Sequence, residues 1–179
     1  MSTGPQGSYE IERRFLVRVE DHSWEVKDME RHLLRQGYVR TGDPSIRIRL
    51  GEPRGPVLAC KSGKGVKRHE VEALVPEEMA AELFEAAENR VIEKIRWCIG
   101  PWELDRFVGN LEGLFLMEIE LEHEDDPIPE PPGGIRILRE VTDDKRFTNS
   151  SLADLKPKKQ LKFVRKAYKE VKGWKGVGG

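Results

Sequence analysis

The sequence predicts an α+β fold: an antiparallel sheet of short strands, each with one charged face, and helices packed against the apolar side. Three observations point there. First, residues Tyr9 to Val17 read Tyr-Glu-Ile-Glu-Arg-Arg-Phe-Leu-Val. Side chains two apart on a strand share a face, so Glu10, Glu12 and Arg14 stand together and Tyr9, Ile11, Arg13, Phe15 and Val17 oppose them. Second, this strand type recurs: Arg47 with Arg49, Arg68 with Glu70 and Glu72, Lys94 with Arg96, Glu103 with Asp105, and Glu118 with Glu120. Third, turn signals such as Gly42-Asp43-Pro44, Gly100-Pro101 and Gly109-Asn110 separate these segments closely, as in strands joined by tight connections.

In chain order, residues 1–8 are rich in Gly, Ser and Pro and are expected to be a flexible N-terminal segment. The first strand spans Tyr9 to Val19. Ser23 is placed to cap a helix through Gln36, with Trp24, Met29, Leu33 and Leu34 as its apolar stripe and Gly37 as its stop. Tyr38 to Thr41 is read as a short strand, followed by the Arg47/Arg49 strand and by Val57 to Lys61. Ser62-Gly63-Lys64-Gly65 lacks phosphate-loop spacing and no helix pattern follows it, so it is read as a hairpin turn into Val66–Val75. Pro76-Glu77-Glu78 opens a helix, with acids in the first turn and Met79, Ala80, Leu83, Phe84 and Ala87 as its buried stripe. Strands Val91–Ile99, Trp102–Val108 and Leu114–Glu122 follow, then an acidic, proline-rich surface loop to Gly134. Ile135–Val141 fits helix or strand, and a short helix starts near Asn149 or Ser150. From Pro157 the chain is lysine-rich, with Leu161, Val164, Tyr168 and Val171 on one helical seam. Residues 9–172 form one domain and 173–179 a flexible tail.

Bulk properties narrow the classes. A chain of 179 residues suits one domain with a real core. The charged fraction is 35%, yet 31 Lys and Arg nearly cancel 32 Asp and Glu. Net charge therefore gives no global pull toward nucleic acid or membrane, and neither is expected as a partner. Cys60 and Cys98 lack Cys-x-x-Cys spacing and are read as free thiols in a reducing compartment. No apolar run approaches the ~20 residues of a membrane span, and the N-terminus lacks the apolar core of a signal peptide. A cytoplasmic location is expected, and a homodimer is left open.

The charged faces admit two readings. Antiparallel sheets often wet one face, and charges there need no function. These faces, however, are almost purely ionic, and like signs are sorted along strands, a net cost unless opposite charge lies between them. If the faces turn inward around a barrel, the interior must hold water, ions or a charged ligand, because isolated buried charges are too costly. Seven cations (Arg14, Arg47, Arg49, Lys61, Arg68, Lys94, Arg96) then meet eight acids (Glu10, Glu12, Glu70, Glu72, Glu103, Asp105, Glu118, Glu120). With two divalent ions such a bore suits a linear polyphosphate: Arg forks grip phosphate oxygens, and clustered carboxylates are hard ligands for Mg2+ or Mn2+. The four histidines lack metal-ligand spacing, which argues against zinc.

The ordered set resembles the CYTH superfamily, the triphosphate tunnel metalloenzymes. The family's Glu-x-Glu-x-Lys stands as Glu10-Ile-Glu12-Arg-Arg14. It is followed in order by Arg47-Ile-Arg49, Lys61, Arg68-His-Glu70-Val-Glu72, Lys94-Ile-Arg96, Glu103-Leu-Asp105, Glu118-Ile-Glu120, Glu140-Val-Thr-Asp-Asp and Arg146-Phe-Thr-Asn-Ser-Ser-Leu. The resemblance implies a closed eight-stranded antiparallel barrel with helices outside, a C-terminal helix over one mouth, and metal-dependent hydrolysis of triphosphates, most like the short bacterial tripolyphosphatases. It implies Arg47, Arg49, Lys61, Arg68, Lys94 and Arg96 on phosphates. Glu118, Glu120 and Asp105 would hold a metal, and Glu10 and Glu12 a second metal or the attacking water. Glu70 is a further candidate ligand, with Glu72 and Glu103 as ion-pair partners. Arg14 departs from the family lysine and, because arginine keeps its proton, supplies only charge and hydrogen bonds. Adenylyl cyclase, thiamine or nucleoside triphosphatase, and a polyphosphate- or nucleotide-binding module without turnover are the alternatives.

Overall fold

The computed structural model describes residues 6–24, 29–63 and 66–171. Nine strands form one antiparallel sheet: β1 (Gln6–Val19), β2 (Arg31–Arg40), β3 (Ser45–Leu50), β4 (Val57–Ser62), β5 (Lys67–Leu74), β6 (Val91–Ile99), β7 (Trp102–Phe107), β8 (Phe115–Leu121) and β9 (Ile135–Glu140). The order is β5-β4-β3-β2-β6-β7-β8-β1-β9, and β1 also pairs with β5. That extra pairing closes strands β1 to β8 into an eight-stranded barrel.

β1 makes the closure by dividing its edges. Gln6 to Ile11 pair with β5 and Ile11 to Leu16 with β8. From Phe15 to Val19 the strand leaves β5 behind and takes β9 as neighbour, with a register shift between Leu16 and Val17. Closure removes the free edges that an open sheet would expose. The Ile135–Val141 ambiguity thus resolves as a strand, and β1 starts at Gln6, ahead of Tyr9. Of the two expected flexible ends, residues 1–5 and 173–179 lie outside the described residues.

Three helices lie outside the barrel: α1 (Glu77–Ala86), α2 (Asn149–Asp154) and α3 (Pro157–Val171). Pro76 precedes α1, and Glu77 and Glu78 occupy its first turn as expected. α1 packs on β2 and β3, burying Ala80 and Ala87 but leaving Met79 exposed. Gly37 permits that approach: a Cβ there would lie 3.0 Å from Ala87 Cβ and 3.1 Å from Phe84 Cδ2.

The helix expected from Ser23 to Gln36 is not formed. Residues 31–36 belong to β2, and 25–28 lie outside the described residues. The stripe Leu33-Leu34 suggested a helical face, but the effective period is two. His32, Leu34, Gln36 and Tyr38 turn to the barrel interior while Leu33 stays 58% exposed. Gly37, read as a helix stop, is instead the contact point for α1. On α3 the expected seam holds at Val164, Tyr168 and Val171, which pack on the core, but not at Leu161, which is exposed; Gln160 and Ala167 complete the buried face.

Two apolar clusters flank the charged bore. One coats the outside of β1, β6, β7 and β8, with Phe15, Val17, Trp97, Trp102, Leu104, Met117 and Ile119. The other fills one end of the barrel, because the inward rows change character along each strand. Glu10-Glu12-Arg14 runs on to Leu16, Glu118 gives way to Leu116, Arg96-Lys94 to Ile92, and Asp105 to Phe107. Leu16, Ile92, Phe107 and Leu116 pack there with Phe147, Leu152 and Val164. The tunnel therefore has one apolar, stoppered end.

Candidate functional site: a charged single-mouth tunnel

The barrel encloses a cavity of about 520 Å3, in the size range of small-ligand sites. Glu10, Glu12, Arg14, Arg47, Arg49, Lys61, Arg68, Glu70, Glu72, Lys94, Arg96, Glu103, Glu118 and Glu120 all line it. The inward reading of the charged strand faces thus holds, and the open wet sheet is excluded.

Strand register explains the pairing. Arg14 stands opposite Glu118, Glu12 opposite Glu120, Glu10 opposite Arg68, Lys61 opposite Glu70, and Arg96 opposite Asp105. Opposed charges on adjacent strands are within reach of each other. Arg14, 4% exposed, donates from Nε to Glu118 at 2.5 Å and from Nη2 to Glu12 at 2.6 Å, and Nη1 lies 3.5 Å from the Phe147 carbonyl. Arg68 also reaches Glu12, at 2.7 Å. Lys61 bridges Glu10 at 2.7 Å and Glu70 at 3.1 Å, and Arg47 donates to Glu70 at 2.9 Å. Arg49 reaches Glu72 at 3.1 Å and Glu52 at 2.7 Å.

Asp105 sits behind this surface. It is 1% exposed and absent from the cavity lining. One oxygen accepts from Lys94 Nζ at 2.5 Å, and Arg96 binds both oxygens at 2.7 and 2.6 Å. Buried and engaged through both oxygens, it has the geometry of an anchor for two cations. Arg96 also reaches Glu118 at 3.0 Å and contacts Glu103.

The field of the site is written in its titrations. Burial raises the Glu10 carboxyl to about 7, assisted by its hydrogen bond with Glu70. Burial also works against the Glu70 charge, but Arg47 and Lys61 overcome it and hold that carboxyl down to about 2. Glu118 resists the same burial penalty and lies well below the usual carboxylate range because Arg14, Lys94 and Arg96 surround it. Lys94 is pulled down by burial and by Arg96. Arg14 is pushed up: burial opposes its charge, yet Glu118 and Glu12 prevail. It is a fixed cation.

Some groups remain unsatisfied. The Nε–H donors of Arg47 and Arg68 are buried without hydrogen-bond partners, and so is Asn149 Oδ1. Glu120 lines the cavity and makes no ion pair among the described residues, although it stands directly opposite Glu12. Glu120 is exposed to solvent, so its charge is met by water. Among the described residues no three acids are already gathered as a metal cluster.

Sequence reasoning missed several lining residues. Gln36 and Tyr38 were assigned elsewhere, although the alternation His32-x-Leu34-x-Gln36-x-Tyr38 carried the signal. Thr148, Asn149 and Ser150 also line the cavity. The start of α2 therefore faces the interior, and the C-terminal helix α3 backs the same end from outside, with Val164 and Ala167 in the apolar cluster that closes it. On α3, Tyr168 Oη accepts from Phe115 N and donates to Val17 O, both at 3.0 Å.

A closed antiparallel barrel with a bore of paired arginines and carboxylates defines a class of protein that takes in multiply charged anions. The chain belongs to the CYTH family: the CYTH domain matches residues 8–169. It is 36% identical to an inorganic triphosphatase of Acetivibrio thermocellus, with 80% of this chain and 92% of that protein covered. It is 38% identical to an inorganic triphosphatase of Nitrosomonas europaea, covering 80% of this chain and 96% of the other. Among solved structures it is similar to the inorganic triphosphatase NE1496, with 32% identity, a TM-score of 0.55, and coverage of 83% and 96%.

Proposed function

We propose that the chain hydrolyses inorganic tripolyphosphate to pyrophosphate and orthophosphate inside the tunnel, with Mg2+ or Mn2+. The observation that carries the reading is the lining itself: Arg47, Arg49, Lys61, Arg68 and Arg96 converge on one enclosed cavity, where their forks and ammonium suit the oxygens of a linear polyphosphate. The names of the relatives agree with this substrate.

The residues divide the work as phosphoryl transfer requires, by positioning and charge neutralisation. Arg47, Arg49, Lys61, Arg68 and Arg96 bind phosphate oxygens, and Lys94 adds charge from behind. Asp105 fixes Lys94 and Arg96, and Glu72 and Glu103 steady Arg49 and Arg96. Glu12, Glu118 and Glu120 would hold the metal, with Glu10 and Glu70 available for a second; when bound it would supply Lewis-acid neutralisation of phosphate charge. Arg14 stabilises charge that develops on the transferred group and donates no proton. Of the lining's larger aromatic rings, Tyr38 and Trp102 are each 2% exposed. Among the described residues that leaves the His32 imidazole as the accessible ring, a small platform for a base, which favours an inorganic chain over ATP cyclisation. The free thiols Cys60 and Cys98 fit a cytoplasmic setting, and among the described residues no helix is long and apolar enough to cross a membrane.

Phosphate release from tripolyphosphate, ATP and thiamine triphosphate, measured with Mg2+, Mn2+ or EDTA, tests the reading. Tripolyphosphate should be cleaved fastest, only with metal, and the Glu118→Gln/Glu120→Gln double variant should be inactive. Cyclic AMP from ATP, or tight tripolyphosphate binding with no release, would replace it.

A further inference from the structure

We propose that Glu52 is a tethered competitor of the substrate: its carboxylate covers the mouth arginine, Arg49, and swings aside when the outermost phosphate of a bound chain takes that cation. This rests on the triphosphatase reading and adds to it a residue that sets affinity.

Arg49 is the last inward residue of β3, two places beyond Arg47. The chain then leaves the barrel wall in a turn, of which Glu52 and Pro53 line the cavity. Glu52 reaches back three residues, and its Oε1 lies 2.7 Å from Arg49 Nε. Among the described residues it makes no other ion pair. The turn itself is fixed. Gly55 N donates to Glu52 O at 3.1 Å, and Gly51, at φ +94°, has no room for a Cβ against the Leu33 carbonyl. The backbone thus holds the carboxylate at the rim and leaves its side-chain torsions free.

Arg49 has a second acid, and the two contacts differ in kind. Glu72, on the β5 wall, accepts a hydrogen bond from Nη2 at 3.1 Å. Glu52 is close but misaligned, for Arg49 Nε is buried without a hydrogen-bond partner. A charge contact without a directed bond is the weaker hold. Glu52 is therefore the acid that yields, by rotation of a half-buried side chain rather than by movement of the wall.

Electrostatics gives the reason for an acid at this place. Burial and Arg47 pull the Arg49 guanidinium down from its ordinary range, and Glu52 and Glu72 work against them. A phosphate chain gripped by Arg47 and Lys61 brings negative charge to the same spot, and a guanidinium binds phosphate oxygens in pairs. Glu52 and the outermost phosphate then serve one cation in turn. Binding is weaker by the worth of the pair that must break, and the returning carboxylate helps to expel what has bound.

The test measures tripolyphosphate affinity by calorimetry in EDTA, and KM by phosphate release with Mg2+. Glu52→Gln should lower Kd and KM about three- to fivefold, the worth of a partly exposed ion pair at the upper end of its range, without raising kcat. Loss of a merely structural contact would move KM the other way. The gain should vanish in the Arg49→Gln background, where the contested cation is gone. A gain kept there reports general removal of negative charge and overturns the proposal. Unchanged or weaker binding by Glu52→Gln also overturns it and leaves the triphosphatase reading intact. Tighter binding by Glu52→Gln with no phosphate release by wild type upholds the competitor and overturns the triphosphatase reading. Neither binding nor release by wild-type protein overturns both.

Discussion

Replacing Asp105 by asparagine separates an anchor from a ligand. Asp105 is 1% exposed and holds Lys94, which is fully buried, at 2.5 Å and Arg96 at 2.6 and 2.7 Å. Two unit charges 4 Å apart at an effective dielectric of about 20 attract by roughly 4 kcal/mol, so neutralising the carboxylate removes attraction to both cations together. Removing one partner of a buried pair typically costs about 3–5 kcal/mol, because the remaining charge is left uncompensated. For a domain of this size each kcal/mol lowers Tm by about 2–4 °C, so Asp105→Asn should melt about 6–20 °C below wild type. The assay is thermal unfolding in EDTA, with Mn2+ affinity measured by titration below the new Tm. An anchor moves Tm in the chelator and leaves metal affinity within about threefold, far from the 10–100-fold losses that follow even removal of a ligand's supporting partner. A Tm within about 2 °C of wild type, or metal affinity reduced more than tenfold with stability kept, refutes the reasoning. The Lys94→Met/Asp105→Leu double variant adds a check, since exchange of a whole buried pair for apolar groups is often neutral or stabilising; it should melt above Asp105→Asn.

Arg14→Lys should keep activity within about tenfold of wild type, and Arg14→Met should lose more than about a hundredfold, because the reading assigns the position charge rather than proton donation; kcat at saturating tripolyphosphate decides. The Glu10 carboxyl, raised from 4.5 to about 7 by burial and by Glu70, binds its proton more tightly in the folded than in the unfolded chain. Its contribution to stability is full below pH 4.5 and is lost as pH rises toward 7. Between those values, metal-free Glu10→Gln should show a shallower fall of Tm with pH than wild type; parallel curves would refute the assignment. Tyr168→Phe leaves Phe115 N and Val17 O without their hydroxyl partner. It should cost about 1–3 kcal/mol in denaturant unfolding, with kcat unchanged.

The bore was legible because its signal is local. Charge at every second residue, sorted by sign, is visible within five residues, as in Glu10-Ile-Glu12-Arg-Arg14, and closure follows from having no other place to put such faces. Only the end of β2, from Tyr38, was legible as a strand, because its interior row, His32, Leu34, Gln36 and Tyr38, mixes polar and apolar groups, and Leu33 beside Leu34 imitates a helical stripe. The stopper was present in the same rows that carry the charges, where Arg14 passes to Leu16 and Lys94 to Ile92, but a tally of ionic residues skips the positions where they stop. That α2 rather than α3 meets the cavity depends on packing between segments distant in sequence, Gly42 with Ser150 and Leu152 with Gln160, and no spacing rule encodes it. Asp105 shows the limit for single residues. Its place in the Glu103-Leu-Asp105 alternation is readable, whereas its setback behind Lys94 and Arg96 is a matter of depth.

The interlocking of the bore charges constrains how such a sequence can drift. Glu118 serves both Arg14 and Arg96, Glu12 serves Arg14 and Arg68, and Glu70 serves Arg47 and Lys61. Exchange of any one of these three carboxylates strands two neighbours at once, so a viable path through sequence space at those positions must move by compensated pairs or triples. The result is a wall that resists gradual retuning of its selectivity and leaves innovation to the mouth, where Glu52, Pro53 and Cys98 carry fewer such obligations.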